Sequence, residues 1–499
     1  MKAVILAAGI GSRLRPITYK KPKCMVKVSG RPILDYQIKA FAAAGIKDIA
    51  IVVGYQSKMV KEYCRYINDI NISIIENDDF ESTNNMFSLY LASYFWKDEE
   101  FILSNGDVIF DERIPLYLNE CSFPDLIAAD KGSYSEESMK IIVNENNLIV
   151  DISKNISASE AYGNSIDLYK FSVSSSGILF NHIKEIIEYE KRLREWTEVA
   201  IQDLVKCQKI MMQPYDINGL NWIEIDNFDD LSVADKMYST IKTSISDAKI
   251  FFIDLDGTIY LGNKPITGSA NFINMLLKNE KLYYFLSNNS SKDKNNYVKI
   301  LSSMGITAKE NQIILSTDGL IEYLKCSNIN DVFVVGTSAM EKSIVEAGIN
   351  TKSEKPMLVV LGYDTELTYE KIKRAALLIN KGIDYIATHC DIVCPTDEGP
   401  IPDIGSLIAL IEIATGKKPR KIFGKPNVEM IGHVLKKHGI IASQAVVIGD
   451  RIYTDMQLAK NIGANFILVL SGETQREDIE ELDEYPDLIT NSLNDLLQE

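Results

Sequence analysis

Two stretches of the chain place glycines, cations and carboxylates in patterns that phosphorus chemistry uses. The first is Leu6-Ala-Ala8-Gly9-Ile-Gly11-Ser12-Arg13-Leu14-Arg15-Pro16, with Lys20-Lys21-Pro22-Lys23 close behind. Glycines let backbone N–H groups approach phosphate oxygens, and Arg13, Arg15 and Lys23 add positive charge, so the loop suits a triphosphate. It lacks the third glycine of a dinucleotide loop and the Lys-Ser/Thr of a P-loop. Taken alone, Gly9 and Gly11 fit a tight turn equally well. The second is Phe252-Ile-Asp254-Leu-Asp256-Gly257-Thr258. Here one carboxylate, neutralised by a metal, can attack phosphorus while its neighbour handles the proton. Ser287-Asn288-Asn-Ser-Ser291, Lys425 in Phe423-Gly-Lys425-Pro426, and Gly449-Asp450 with Asp455 follow in order. A calcium-type loop is excluded because the further spaced ligands are missing.

The elements that must hold these residues read as α/β. Uninterrupted apolar runs at 2–7 and 249–253 look like strands covered on both faces. Further strands are predicted at 48–53, 72–75, 101–104, 282–286, 331–335, 357–361, 445–448 and 466–470, with helices at 33–44, 427–438 and 454–462. This alternation predicts parallel sheets with right-handed crossovers and sites at their carboxyl edges. The apolar rhythm lapses at residues 238–248, which sets domains at 1–242 and 247–499. The 499 residues suffice for two to four cores, and 46% hydrophobic with 24% charged residues is ordinary globular composition. A net charge of −16 disfavours general nucleic-acid binding. No membrane span or signal peptide is read, and seven scattered cysteines suggest free thiols in a reducing cytoplasm.

The longer N-terminal string, continuing through Lys23 and Gly30-Arg-Pro-Ile-Leu34, resembles nucleotidyltransferases that make nucleoside-diphosphate sugars and alcohols. Thr83-Asn84-Asn85-Met-Phe-Ser-Leu-Tyr-Leu-Ala92 and Trp222-Ile-Glu-Ile-Asp226 resemble their bacterial choline-phosphate cytidylyltransferase branch. The resemblance covers residues 1–240 and implies a Rossmann-like domain. It implies that Leu6, Ala8, Gly9, Gly11 and Arg13 wrap the nucleotide, that Lys23 offsets triphosphate charge, and that Asp107 and Asp226 hold Mg²⁺. Asn84 and Asn85 either read the base or hold a loop. Lys140 and Lys154 are candidates for the acceptor phosphate, and Trp196, Trp222 and Tyr162 for an aromatic pocket around a cationic head group.

The C-terminal motifs resemble the haloacid dehalogenase (HAD) superfamily. Thr388-His389-Cys390-Asp391 and Pro395-Thr-Asp-Glu-Gly-Pro400 point to its 4-nitrophenylphosphatase and phosphoglycolate-phosphatase branch. This implies a Rossmannoid core with an α/β cap at about 305–419. It also implies Asp254 as nucleophile, Asp256 as acid and base, and Ser287, Asn288 and Lys425 on the phosphoryl group. Asp254, Asp256 and Asp450 would be the magnesium ligands, with Asp455 behind them. His389, Cys390 and Cys394 lack the second ligand pair of a zinc site and read as a cap loop near the entrance.

Together these features predict a cytoplasmic bifunctional enzyme with Mg²⁺ as cofactor. One half transfers a nucleotidyl group, with CTP as the expected donor, to a phosphorylated small alcohol such as glycerol phosphate. The other hydrolyses a small phosphomonoester, and the pair would make an activated precursor of a surface polysaccharide. Choline phosphate, or a sugar 1-phosphate with UTP or dTTP, are the alternative substrates. A regulatory scaffold with one inactive domain is the non-enzymatic alternative, and an oligomer is compatible with the sequence.

Overall fold

The computed structural model describes the chain apart from residues 132–133, 135–137, 240, 242–244, 395–398 and 499. Part of the expected boundary and most of the Pro395-to-Pro400 motif therefore lie outside the described residues. The chain divides into two compact units, Met1–Tyr238 and Ser239–Glu499.

In the first unit Lys2–Ala7 pairs in parallel with Asp48–Val53 on one side and Phe101–Asn105 on the other, and Asn71–Glu76 extends the row. Val4 and Leu6 face one apolar core with Trp96 and Leu103, while Ala3 and Ile5 face another with Ile38 and Phe41. Both faces are covered, which is why this strand shows no polar alternation. The helix Ile33–Ala43 buries Leu34, Ile38 and Phe41 at helical spacing against the second core.

The rest of this sheet departs from the parallel expectation. Gly163–Phe171 runs antiparallel beside Phe101–Asn105, and it also pairs with Leu126–Asp130 and Lys140–Val143. Ile149–Ser153 and Gln213–Asp216 complete a mixed sheet of nine strands. The long strand carries Asn164, Ser165, Asp167 and Lys170 among its apolar residues, so it offers no continuous apolar run. Asn164, Ser165 and Lys170 are nevertheless buried.

The second unit holds a parallel sheet in the order Ile313–Leu315, Leu282–Ser287, Ile250–Asp254, Ala445–Gly449, Asn465–Val469, Leu488–Thr490. A smaller parallel sheet runs Val332–Val335, Leu358–Leu361, Tyr385–Ala387, Lys421–Ile422. It has its own cores around Met340, Leu358 and Val360, and around Val359, Ile379 and Ile411. This smaller layer starts and ends later than 305–419, because Ile313–Leu315 belongs to the main sheet and Lys421–Ile422 to the small one. Strands of two or three residues are too short to stand out in a sequence.

Candidate active sites

In the first unit the chain leaves Lys2–Ala7 and turns at Gly11, whose φ of +67° favours glycine; a Cβ there would come within 2.9 Å of the Lys23 Cβ. That close approach brings Lys23 beneath the loop. Its ammonium lies 2.7 Å from Asp107 Oδ2 and 2.6 Å from Asp226 Oδ1, and Arg13 Nη2 lies 2.9 Å from Asp226 Oδ2. Asp107 follows the end of Phe101–Asn105. Asp226 follows Trp222–Glu224, which pairs with Val108–Phe110 and so comes beside the Asp107 turn.

These residues border a cavity of about 390 Å³, as do Leu6, Ala8, Gly9, Asn84 and Asn85. Asn84 caps the helix Asn85–Leu91 by accepting from the Asn85 N–H. Asn85 accepts from the Thr197 N–H at 2.8 Å and donates to Asn105, so both asparagines also hold loops.

Glu224 was not singled out by the motifs. With Asp107 and Asp226 it offers three carboxylate oxygens within 4.8 Å of one another. The available signal was spacing: two positions before Asp226 in extended chain, a side chain returns to the same face. Glu224 is exposed as a residue, but desolvation of its carboxylate and the charges of Asp167, Asp107 and Asp226 push it up to about 8 against the pull of Lys23. Burial works against Lys23 and Asp226 too, but each holds the other's charge, so the Lys23 ammonium is raised and the Asp226 carboxyl lowered. Asp167 and Glu198, also on the cavity wall, were missed as well. Tyr169 OH lies 3.1 Å from a carboxylate oxygen of each, and burial with repulsion from Glu198 raises Asp167 to about 7.

The expected aromatic pocket does not assemble. Of Trp196, Trp222 and Tyr162, Trp196 alone lines the cavity, with Phe80 as a second ring on its wall. Trp222 donates its ring N–H to Asp130 at 2.9 Å, and Lys131 covers the Tyr162 ring. Lys154 lines the cavity with its ammonium 4.8 Å from the Trp196 ring centroid. Lys140 is buried and donates to the Ser138 and Lys154 carbonyls, so it supports the Lys154 main chain.

In the second unit three motifs start where strands of the main sheet end: Asp254 closes Ile250–Asp254, Ser287 closes Leu282–Ser287, and Asp450 follows Ala445–Gly449. Lys425 enters from the segment after Lys421–Ile422. Its ammonium bonds Asp254 Oδ1 and lies 2.6 Å from Asp455 Oδ1. Asp254, Asp450 and Asp455 form the converging trio. The side chain of Asp256, expected among the metal ligands, is not part of this trio; its third carboxylate is Asp455, on the π-helical turn Ile452–Met456. Ser287 Oγ accepts from the Asn289 N–H at 3.1 Å and lies 3.3 Å from Tyr297 OH. The Asn288 side chain is engaged with protein: Oδ1 accepts from the Lys425 N–H at 2.7 Å and Nδ2 donates to Asp391 Oδ1 at 3.1 Å. It therefore positions Lys425. His389 is fully buried between Thr388 Oγ1 and Asp403 Oδ1, both at 3.0 Å, as a structural histidine.

Burial pushes the Asp254 carboxyl well up; Lys425 opposes this, and Asp455 and Asp450 add to it. Burial likewise raises Asp450 to about 7 and raises Asp256, the latter against Lys292, Arg451 and Lys425. Both trios suit a hard divalent cation. In each, one buried carboxylate oxygen, Asp107 Oδ1 or Asp450 Oδ1, accepts no hydrogen bond from the described residues. Carboxylate oxygens are the donors that Mg²⁺ takes.

Two α/β units, each ending its strands in a carboxylate–lysine centre, define an enzyme of phosphorus chemistry. Residues 2–121 match the nucleotidyl transferase family, residues 251–350 the haloacid dehalogenase-like hydrolases, and residues 422–496 the related HAD-hydrolase-like family. An acid sugar phosphatase of Staphylococcus haemolyticus is 30% identical over 253 residues, which cover 50% of this chain and 96% of that protein. That of Staphylococcus aureus is 30% identical over 253 residues, covering 50% and 97%. The crystal structure of a 4-nitrophenylphosphatase from Thermotoga maritima is 40% identical, covers 51% of this chain and 98% of its own, and has a TM-score of 0.49. The chain belongs to the haloacid dehalogenase-like hydrolases through its C-terminal half and carries a nucleotidyl transferase domain in its N-terminal half. It is a bifunctional enzyme.

Proposed function

We propose that the N-terminal unit transfers a cytidylyl group from CTP to a polyol phosphate such as glycerol phosphate and releases pyrophosphate. The C-terminal unit hydrolyses a small, three-carbon phosphomonoester through an aspartyl-phosphate on Asp254. Together they prepare an activated precursor for a cell-surface polysaccharide, in the cytoplasm where nucleoside triphosphates are made. No described helix is long and apolar enough to cross a membrane.

The cavity that joins Lys23 and Arg13 to the Asp107, Glu224 and Asp226 trio carries this reading. Both reactants are anionic, so cations on the triphosphate and an ion on the carboxylates offset their repulsion while the acceptor oxygen attacks in line. Mg²⁺ held there would neutralise phosphate charge and draw electrons from phosphorus. Lys154 over the Trp196 face favours a polyol phosphate over choline phosphate. A quaternary ammonium needs an open aromatic surface, and this one faces a lysine.

The test is pyrophosphate release with CTP, UTP, ATP, GTP and dTTP against glycerol phosphate, choline phosphate and glucose 1-phosphate. CTP with glycerol phosphate is expected to turn over fastest. Preference for another base or for choline phosphate would overturn the assignment.

A further inference from the structure

Asp391 belongs to the layer of the smaller sheet. It follows Tyr385–Ala387 by four residues, and its carbonyl accepts from the Gly405 N–H at 2.7 Å, which ties it to the helix Ile404–Thr415 of that layer. Its carboxylate, however, is spent on the main sheet. Oδ1 accepts from Asn288 Nδ2 at 3.1 Å, and Oδ2 accepts from Arg451 Nη1 at 2.6 Å. Asp391 is 1% exposed, so these two partners replace water at this carboxylate.

Both partners lead directly into the phosphoryl centre. Asn288 clamps the Lys425 main chain at two points, accepting its N–H at 2.7 Å and donating to its carbonyl at 3.2 Å. Lys425 then bonds Asp254 and Asp455. Arg451 is the residue after Asp450, and its own N–H donates to Asp455 Oδ2 at 3.2 Å. One carboxylate of the smaller layer thus reaches the lysine side of the centre through Asn288 and the Asp450–Asp455 side through Arg451.

We propose that Asp391 is a positioning residue for phosphate hydrolysis: it makes the alignment of Lys425 and Asp450 depend on the smaller layer being seated. The proposal rests on the phosphatase domain alone and not on which phosphomonoester it takes. Without the Asp391 charge, Asn288 Nδ2 loses the charged acceptor it holds besides the Lys425 carbonyl, and the buried Arg451 guanidinium is left with Glu473, 2.8 Å away, in place of two carboxylates. Groups that meet phosphorus must be held to a fraction of an ångström, whereas binding a phosphate at all is far more tolerant. The defect should therefore fall on kcat rather than on KM.

The experiment uses the full chain with 4-nitrophenyl phosphate and Mg²⁺. Asp391→Asn keeps the shape and removes the charge; Asp391→Glu keeps the charge. A misplacement near 1 Å predicts that Asp391→Asn lowers kcat by roughly 100-fold while KM stays within about threefold, with partial recovery in Asp391→Glu. Thermal melting and pyrophosphate release by the other unit serve as folding controls. If Asp391→Asn does not fold, the Asp391→Glu variant decides by the same split. A kcat near wild type, or a loss that lies in KM, overturns the proposal.

Discussion

Gly472→Ala tests the phosphatase centre by crowding Asp450, from its Cβ, 2.7 Å away, out to its carboxylate. Gly472 has no left-handed backbone, so alanine fits its conformation, but its Cβ would stand 2.0 Å from Asp450 Oδ2 and 2.5 Å from Asp450 Cγ. Real Cβ contacts do not fall below 3.0 Å, so the carboxylate must retreat by about 1 Å or more. It has little room: Asp450 is fully buried, and the Glu473 N–H holds the same oxygen at 2.7 Å. A displacement of that size at a reacting centre costs on the order of 100-fold, or about 2.7 kcal/mol of transition-state stabilisation. Phosphate release from 4-nitrophenyl phosphate, measured across a Mg²⁺ titration, should show kcat/KM lower by roughly that factor and half-activation at higher Mg²⁺. Pyrophosphate release should not change. Activity within about threefold of wild type, with the same Mg²⁺ dependence, would refute the claim that Asp450 must sit where it does.

The two chemistries should separate cleanly: Asp107→Asn should abolish pyrophosphate release and spare hydrolysis, and Asp254→Asn should do the reverse, each by on the order of 10⁴-fold or more in the matching assay. Asp167 titrates near 7 in the folded chain against an ordinary 3.8, first through burial and then through Glu198. Its proton is held more tightly folded than unfolded, so its stabilisation is complete below 3.8 and is lost as pH rises through about 7. Asn at this position mimics the protonated form and tolerates the +57° φ, so Asp167→Asn should flatten the fall in melting temperature between pH ~5 and pH ~8. An equal fall in both proteins would count against the buried carboxylate pair.

The parts of the site read most easily were those attached to continuous apolar strands. Lys2–Ala7, Asp48–Val53 and Ala445–Gly449 are covered on both faces, so their composition announces them, and the motif residues at their ends follow by position. Gly163–Phe171 hid because Ser165 and Asp167 line the cavity while Lys170 is buried on the Leu118 and Cys121 carbonyls, and such a mixture looks like loop in a one-dimensional pattern. Asp167 and Glu198 hid for a related reason: isolated carboxylates carry no spacing signal until the fold brings them to one wall, whereas Glu224 had only its two-residue spacing from Asp226 to point to it. The aromatic pocket failed for the converse reason. Trp222 and Tyr162 are ordinary half-buried side chains with local partners, and residue type alone does not say which way a ring faces.

Lys23 spans Asp107 and Asp226, and Lys425 spans Asp254 and Asp455. Each centre thus carries its own resident counter-ion, fixed covalently to the chain. Clustered acids buried without such a partner would repel one another and strain the fold around them. Chelation should accordingly silence this protein without melting it, leaving a folded apo form that regains activity when the ion returns.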